Sequence, residues 1–171
     1  DEVICRQVEL ICKLAQNYPE VKGINLEGPF LSPQKCGAMP PQYLQKPSVD
    51  KFMQYQKAAN GFIKLVTVAP ELPDAVAFIS EVADSGVVVS LGHSTATAEE
   101  VNRALDAGAK SFTHFGNAMS QMDRLNLNMV GSAMASDAFA EVIVDGKHVN
   151  REVVKLLVKT KGASKVIGMT D

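Results

Sequence analysis

The spacing of apolar residues switches back and forth along this chain between a helical period and short strand-like runs. Over residues 2–17, Val3, Ile4, Val8, Ile11, Cys12 and Ala15 recur near three- or four-residue spacing and predict one face of an amphipathic helix. Lys22–Leu26 reads as a strand, and a Pro-rich loop follows from Glu27 to Pro47. A loop of that length inside a compact domain points to function. Ser48 is placed to cap a helix over 49–60, and Gly61 to end it. Phe62–Val68 is a predicted strand, and residues 73–85 a helix with Pro73 in its first turn and Gly86 at its end. Val87–Leu91 is almost continuously apolar and β-branched, the pattern of a strand covered on both faces. Thr97 caps a helix to Ala107, with Glu99 and Glu100 in the turn where the dipole favours negative charge, and Gly108 ends it. The rest reads as a strand at Lys110–Thr113, a short helix at 129–136, a strand at Glu141–Val144, a helix from cap Asn150 to about Lys159, and a strand at Lys165–Met169.

Strands that alternate with helices imply the α/β class and a parallel sheet with right-handed crossovers. An open doubly wound sheet and a closed barrel both satisfy that alternation. The polar residues favour the barrel. Glu27, His93, His114, the pair Asp145 and His148, and Asp171 all follow the C-terminal ends of different strands. Barrel sites are assembled from many strand ends, whereas an open sheet gathers its ligand at one switch point. The expected fold is therefore a partial (β/α)8 TIM barrel of the metal-dependent hydrolase type, with about six of its eight strands present.

Composition narrows the class further. At 171 residues the prior is one domain, residues 1–171, and 46% hydrophobic with 21% charged residues is ordinary for a globular protein. A net charge of −2 without charge blocks gives no case for nucleic acid or an anionic membrane. No apolar run approaches the ~18 residues of a membrane span, and no signal peptide is visible. Cys5, Cys12 and Cys36 form no CxxC pair, which fits a reducing cytoplasm better than a disulfide framework. Cys5 and Cys12 are expected to pack as small hydrophobes. The chain begins without Met and stops just after an apolar run, so a fragment is expected, with exposed strand edges that make it associate.

One Glu and two His just past strand-like segments can converge on one metal ion. Taken singly, Glu27 is also a plausible turn residue, and His93 or His114 a plausible structural histidine. His148 could serve the helix that follows it, and Asp145 beside Gly146 has the composition of a turn former.

Five motifs occur in order: Leu26-Glu27-Gly28-Pro29-Phe30, Gly92-His93-Ser94, Thr113-His114-Phe115-Gly116-Asn117-Ala118-Met119, Asp145-Gly146-Lys147-His148-Val149 and Thr170-Asp171. In order and spacing the chain resembles the N-acetylglucosamine-6-phosphate deacetylases of the amidohydrolase superfamily, from about residue 20 onward. The resemblance implies a (β/α)8 barrel that removes the acetyl group of N-acetylglucosamine 6-phosphate, giving glucosamine 6-phosphate and acetate. It implies Glu27, His93 and His114 as metal ligands and Asp171 as catalytic carboxylate. It also implies Asn117 and Ala118 in a loop that contacts the sugar phosphate, and His148 as a substrate contact. By the same resemblance the chain holds barrel strands three to eight and lacks the first two strands and a small β-domain. The implied setting is a cytoplasmic homodimer in amino-sugar catabolism.

The expected cofactor is a divalent ion, zinc first, with iron, cobalt and manganese also compatible with a His₂Glu set. Zinc bound this way brings the pKa of a water to about 7, and Asp171 would exchange the proton as base and then acid. Two departures stand out. Where some relatives carry His or Gln to bind the acyl carbonyl, this chain has Met39, which cannot donate a hydrogen bond. Where relatives carry Arg-x-Pro-Gly near the phosphate, this chain reads Arg124-Leu125-Asn126-Leu127-Asn128, whose Arg124 could reach a phosphate or be a solvated loop charge. Both leave room for N-acetylgalactosamine 6-phosphate as substrate, and a catalytically incompetent structural fragment is the non-enzymatic alternative.

Overall fold

Each strand pairs in parallel with the next one along the chain. The computed structural model describes residues 1–171. Its sheet runs β1 (Ile24–Glu27), β2 (Ile63–Val68), β3 (Val88–Leu91), β4 (Ser111–Phe112), β5 (Phe139–Ile143) and β6 (Val166–Met169), in that spatial order. Strictly consecutive order is what a barrel needs, because a doubly wound sheet reverses direction part-way. The six strands form a curled part of a (β/α) barrel. β1 and β6 are each paired on one side only.

Six helices connect or precede the strands: α1 (Glu2–Ala15), α2 (Val49–Ala58), α3 (Ala75–Asp84), α4 (Ala98–Asp106), α5 (Asn128–Ala135) and α6 (Arg151–Lys161). Their starts follow local chemistry. The Ser48 side chain accepts from the Lys51 N–H and the Asn150 side chain from the Glu152 N–H. Thr97 and Glu100 form a reciprocal capping box on α4. α3 differs from expectation. It starts at Ala75, so Pro73 lies before its first turn, and Asp74 enters with φ 66° and no side-chain cap. β4 is also shorter than the predicted Lys110–Thr113, because His114 at φ 34° turns the chain out of extended geometry.

Alternate strand positions do different work. Val66, Val68, Val89, Leu91, Phe112, Ala140 and Val142 are fully buried and join one apolar core with Phe52, Tyr55, Phe78 and Ile79 from the helices. Phe30, just past β1, sits in that core with its ring 4.9 Å from Phe78, and Phe52 meets Phe78 edge-on at 5.9 Å. Burying one such ring contributes roughly 1.5–3 kcal/mol, so Phe30 pins the start of the long loop that follows Glu27. Cys5 and Cys12 are half-buried against this core, as expected.

The other face of the strands carries polar groups. The register aligns Glu27 with Thr67, Thr67 with Ser90, and Ser90 with Ser111. The Thr113 hydroxyl donates to Ser90 at 2.7 Å and lies 2.9 Å from that of Thr67. The buried hydroxyls of Thr67, Ser90 and Thr113 satisfy one another and form a polar floor beneath the strand ends.

The free edges carry a testable consequence. β6 presents unpaired backbone groups, and its Ile167 is exposed. The chain should self-associate with rising concentration, and Ile167→Lys should shift it toward monomer. Light scattering across a concentration series checks this; a strictly monomeric parent chain would contradict it.

Candidate metal centre

The site begins with three strand ends. β1 ends on Glu27, β3 leads through Gly92 to His93, and β4 leads through Thr113 to His114. Both histidines leave their strands in the left-handed region, His93 at φ 47° and His114 at φ 34°. Such backbone costs of order 1–3 kcal/mol each and persists only where surrounding contacts impose it. Gly92 is required here: a Cβ on it would stand 2.9 Å from the Thr113 Cβ and 3.0 Å from the Thr67 Cγ2. Gly37, at φ 60°, lets the loop lie against the imidazole of His93, whose Cε1 would stand 3.0 Å from an added Cβ.

The result is a tight triangle. Glu27 Oε1 lies 2.6 Å from His93 Nε2 and 2.9 Å from His114 Nε2, and the two Nε2 atoms are 2.9 Å apart. His93 Nδ1 is 2.6 Å from the Lys35 carbonyl oxygen. A carbonyl only accepts, so Nδ1 carries the hydrogen, and in the neutral ring Nε2 is then a bare lone pair. That lone pair faces a carboxylate oxygen and a second imidazole nitrogen. With Nε2 of His114 also bare, three acceptors this close repel unless a proton or a cation lies among them.

A divalent cation resolves the conflict. Zinc holds nitrogen and oxygen ligands at about 2.0–2.2 Å, which places them roughly 3 Å apart. Glu27, His93 and His114 are the group of this chain whose donor atoms meet that requirement, and the Lys35 carbonyl supplies the outer hydrogen bond that metal-bound histidines use. Without an ion, protons take its part. The two histidines hold the Glu27 carboxyl down to about 2. Burial pushes His114 down, but Glu27 beside it outweighs this and raises its pKa, with a smaller contribution from the charge of Asp171.

The triangle lies in a cavity of ≈ 530 Å³ that Met39, Asn117, Ala118, His148 and Asp171 also line. The structure thus brings together every site residue expected from the sequence except Arg124. Arg124 is exposed on a turn where Asp123 accepts from the Leu125 and Asn126 N–H groups, outside the lining of the cavity. Asp145 is the turn former expected: its carboxylate accepts from the Lys147 and His148 N–H groups and from His148 Nδ1 at 2.8 Å. That bond leaves the His148 Nε2 free.

Sequence reasoning missed three groups. The Lys35 carbonyl orients His93, but any residue type supplies a carbonyl. Glu71 binds the segment after His93; Pro70-Glu71 at a strand end was its only signal. Glu141 is buried on β5, where burial pushes its carboxyl up and the nearby His114 pulls it back; a charged residue inside an apolar run could have flagged it.

No family model matches the chain, but individual proteins do. N-acetylglucosamine-6-phosphate deacetylase of Bacillus subtilis is 39% identical over 89% of this chain and 39% of its own length. N-acetylgalactosamine-6-phosphate deacetylase of a Shewanella strain is 36% identical over 90% of the chain and 39% of its own length. The crystal structure of N-acetyl-D-glucosamine-6-phosphate deacetylase from Mycobacterium smegmatis superposes with a TM-score of 0.94 at 32% identity, covering 98% of this chain and 44% of that one. The chain is homologous to the N-acetylglucosamine-6-phosphate deacetylases. It spans about two fifths of the length of the curated relatives it matches. An aspartate-to-alanine variant of the Mycobacterium smegmatis enzyme is known in complex with N-acetyl-D-glucosamine-6-phosphate.

The charge balance of the triangle fixes a pH dependence. In the ion-free chain, the raised pKa of His114 adds stability below its unfolded value that is lost as pH rises through its folded value. The lowered pKa of Glu27 adds stability above its unfolded value that is lost as pH falls toward about 2. Metal must displace the His114 proton. Zinc affinity should therefore rise with pH while His114 is still protonated and level off once it is neutral, above the ordinary imidazole range. Competition with a chromophoric chelator through and above that range measures it; a flat profile would contradict the assignment.

Proposed function

We propose that this chain carries the catalytic face of a metal-dependent amino-sugar-phosphate deacetylase, acting on N-acetylglucosamine 6-phosphate to give glucosamine 6-phosphate and acetate. The observation that carries this reading is the triangle of Glu27, His93 and His114, three possible ligand atoms within 2.6–2.9 Å of one another at the mouth of a sugar-sized cavity. The six strands occupy places three to eight of the barrel, the site of action is the cytoplasm, and the complete protein is a homodimer. No helix of the chain is long and apolar enough to cross a membrane.

Glu27, His93 and His114 would hold the ion, zinc in the first instance, with iron, cobalt and manganese as alternatives. Such an ion supplies Lewis acidity, which polarises an amide carbonyl and acidifies water. The remaining work falls to side chains. Asp171 lines the same cavity, takes the proton from the attacking water and returns it to the departing amine nitrogen. His148, its ring held by Asp145, presents Nε2 to the substrate. Asn117 lies beside it in the cavity, its side-chain amide turned back onto the His114 carbonyl at 3.2 Å. With the adjacent backbone at Ala118 it forms the wall assigned to the sugar phosphate.

N-acetylgalactosamine 6-phosphate is the second reading. Met39 lines the cavity where a polar side chain would otherwise discriminate, and relatives with that activity are 36% and 32% identical. The non-enzymatic alternative keeps the pocket without turnover.

Two measurements test this together. Elemental analysis should find near-stoichiometric metal in the purified chain, lost in His93→Ala and in His114→Ala. Acetate release should be assayed on the chain and on the longest natural protein containing it, with both sugar phosphates. The open barrel is expected to turn over weakly. Asp171→Asn in the longer protein should lower kcat by at least about a thousandfold with metal content unchanged, in the range removal of a key acid–base group reaches. Bound metal without acetate release from either sugar would overturn the enzymatic reading.

A further inference from the structure

A carboxylate outside the metal triangle holds one of its corners in place. Glu71 follows β2 and is half-buried. Its Oε2 accepts from the Ser94 hydroxyl at 2.6 Å. Its Oε1 accepts from the Thr95 N–H at 2.7 Å and the Thr95 hydroxyl at 3.0 Å. Bonds this short to an ionised acceptor are stronger than neutral ones. They clamp the two residues immediately after His93.

The clamp passes its hold onward. The fully buried Ser94 hydroxyl also accepts from the Ala96 N–H at 2.9 Å. The Ser94 N–H donates to the Ala118 carbonyl at 3.0 Å, and the Ser120 N–H donates to the Ser94 carbonyl at 2.9 Å. Ser94 and Met119 thus form an isolated parallel bridge between the loop after His93 and the loop after His114. On the other side of His93, its carbonyl accepts from the Ser32 N–H at 2.9 Å.

His93 needs such support. Its backbone lies in the left-handed region at φ 47°, a conformation that an unrestrained histidine would leave. The Lys35 carbonyl fixes the ring, and nothing in that contact fixes the backbone. We infer that Glu71 is a positioning residue: through Ser94 and Thr95 it keeps the strained His93 backbone, and with it Nε2, aimed at Glu27 and His114. The inference rests on the metal-centre reading above.

The test compares Glu71→Ala and Glu71→Gln with the parent chain. Glu100→Ala serves as a control: it breaks the capping box on α4, near the same loop, without touching Glu71, Ser94 or Thr95. Zinc affinity is read by chelator competition. Glu71→Ala should weaken it by about 10–100-fold, the usual range for an outer-shell partner. Glu71→Gln should fall between, since it keeps the acceptor facing Thr95 and loses the charge. Glu100→Ala should lower thermal stability and leave zinc affinity unchanged. Zinc affinity unaltered by Glu71→Ala, or weakened equally by Glu100→Ala, would overturn the inference.

A parent chain that binds no zinc would remove the metal reading and leave Glu71 to be judged on the ion-free protein. There, Glu71→Ala should shift the His93 ring resonances and speed amide exchange at Ser94 and Ser120. Unchanged resonances and exchange would overturn the role.

Discussion

A carboxylate oxygen and two imidazole nitrogens crowd within 3 Å at the mouth of this sheet, and the surrounding structure is arranged to keep them there. Bare lone pairs at that distance repel, so the arrangement needs a proton or a cation among them. The fold supplies the opposing force in pieces. The Phe30 ring locks the chain after Glu27 into the core. The Lys35 carbonyl fixes one imidazole, and two left-handed backbone positions turn both histidines inward from their strands. Each piece costs conformational freedom or strain, and the apolar face of the sheet offsets that cost.

The division between the two faces makes this possible. Side chains alternate along a strand, so one sequence can feed an apolar core and a polar floor at once. Val66, Val68, Val89 and Leu91 take the first task, and Thr67, Ser90 and Thr113 the second. Parallel pairing in consecutive order then stacks equivalent strand ends on one rim. The ligands are far apart in sequence: His93 lies 66 positions after Glu27, and His114 a further 21. They meet because strand ends in such a sheet share a face.

Much of this was legible in the sequence, and the misses have physical causes. Helices with strong local signals, such as Thr97 with Glu100, came out within a residue or two, because capping is a short-range hydrogen-bond problem. Glu27, His93 and His114 were readable because strand-end placement constrains their geometry. The start of α3 was not, because Asp74 adopts φ 66° where Pro73 suggested a first turn. β4 was overestimated because only the folded site forces His114 out of extended backbone. The Lys35 carbonyl and the Glu71 clamp depend on pairings across 58 and 24 residues or so, which leave no local pattern.

The two ends of the cavity differ in how they are held. The contacts that fix the triangle come from β1 through β4 and their loops, with β5 adding the Glu141 carbonyl, which accepts from the Phe115 N–H at 2.6 Å. Both histidines are buried and β2 through β4 are paired on both sides, while β1, which carries Glu27, is an edge strand. The groups assigned to the substrate on the other side, His148 and Asp171, are exposed, and Asp171 follows an edge strand. A buried, mutually braced cluster keeps its geometry when a distant edge is unpaired, whereas an exposed side chain beside a free edge does not. Under the proposed function, the metal centre would rest on buried histidines braced by their loops, whereas the alignment of Asp171 against a substrate would rest on an exposed position beside the free edge of β6.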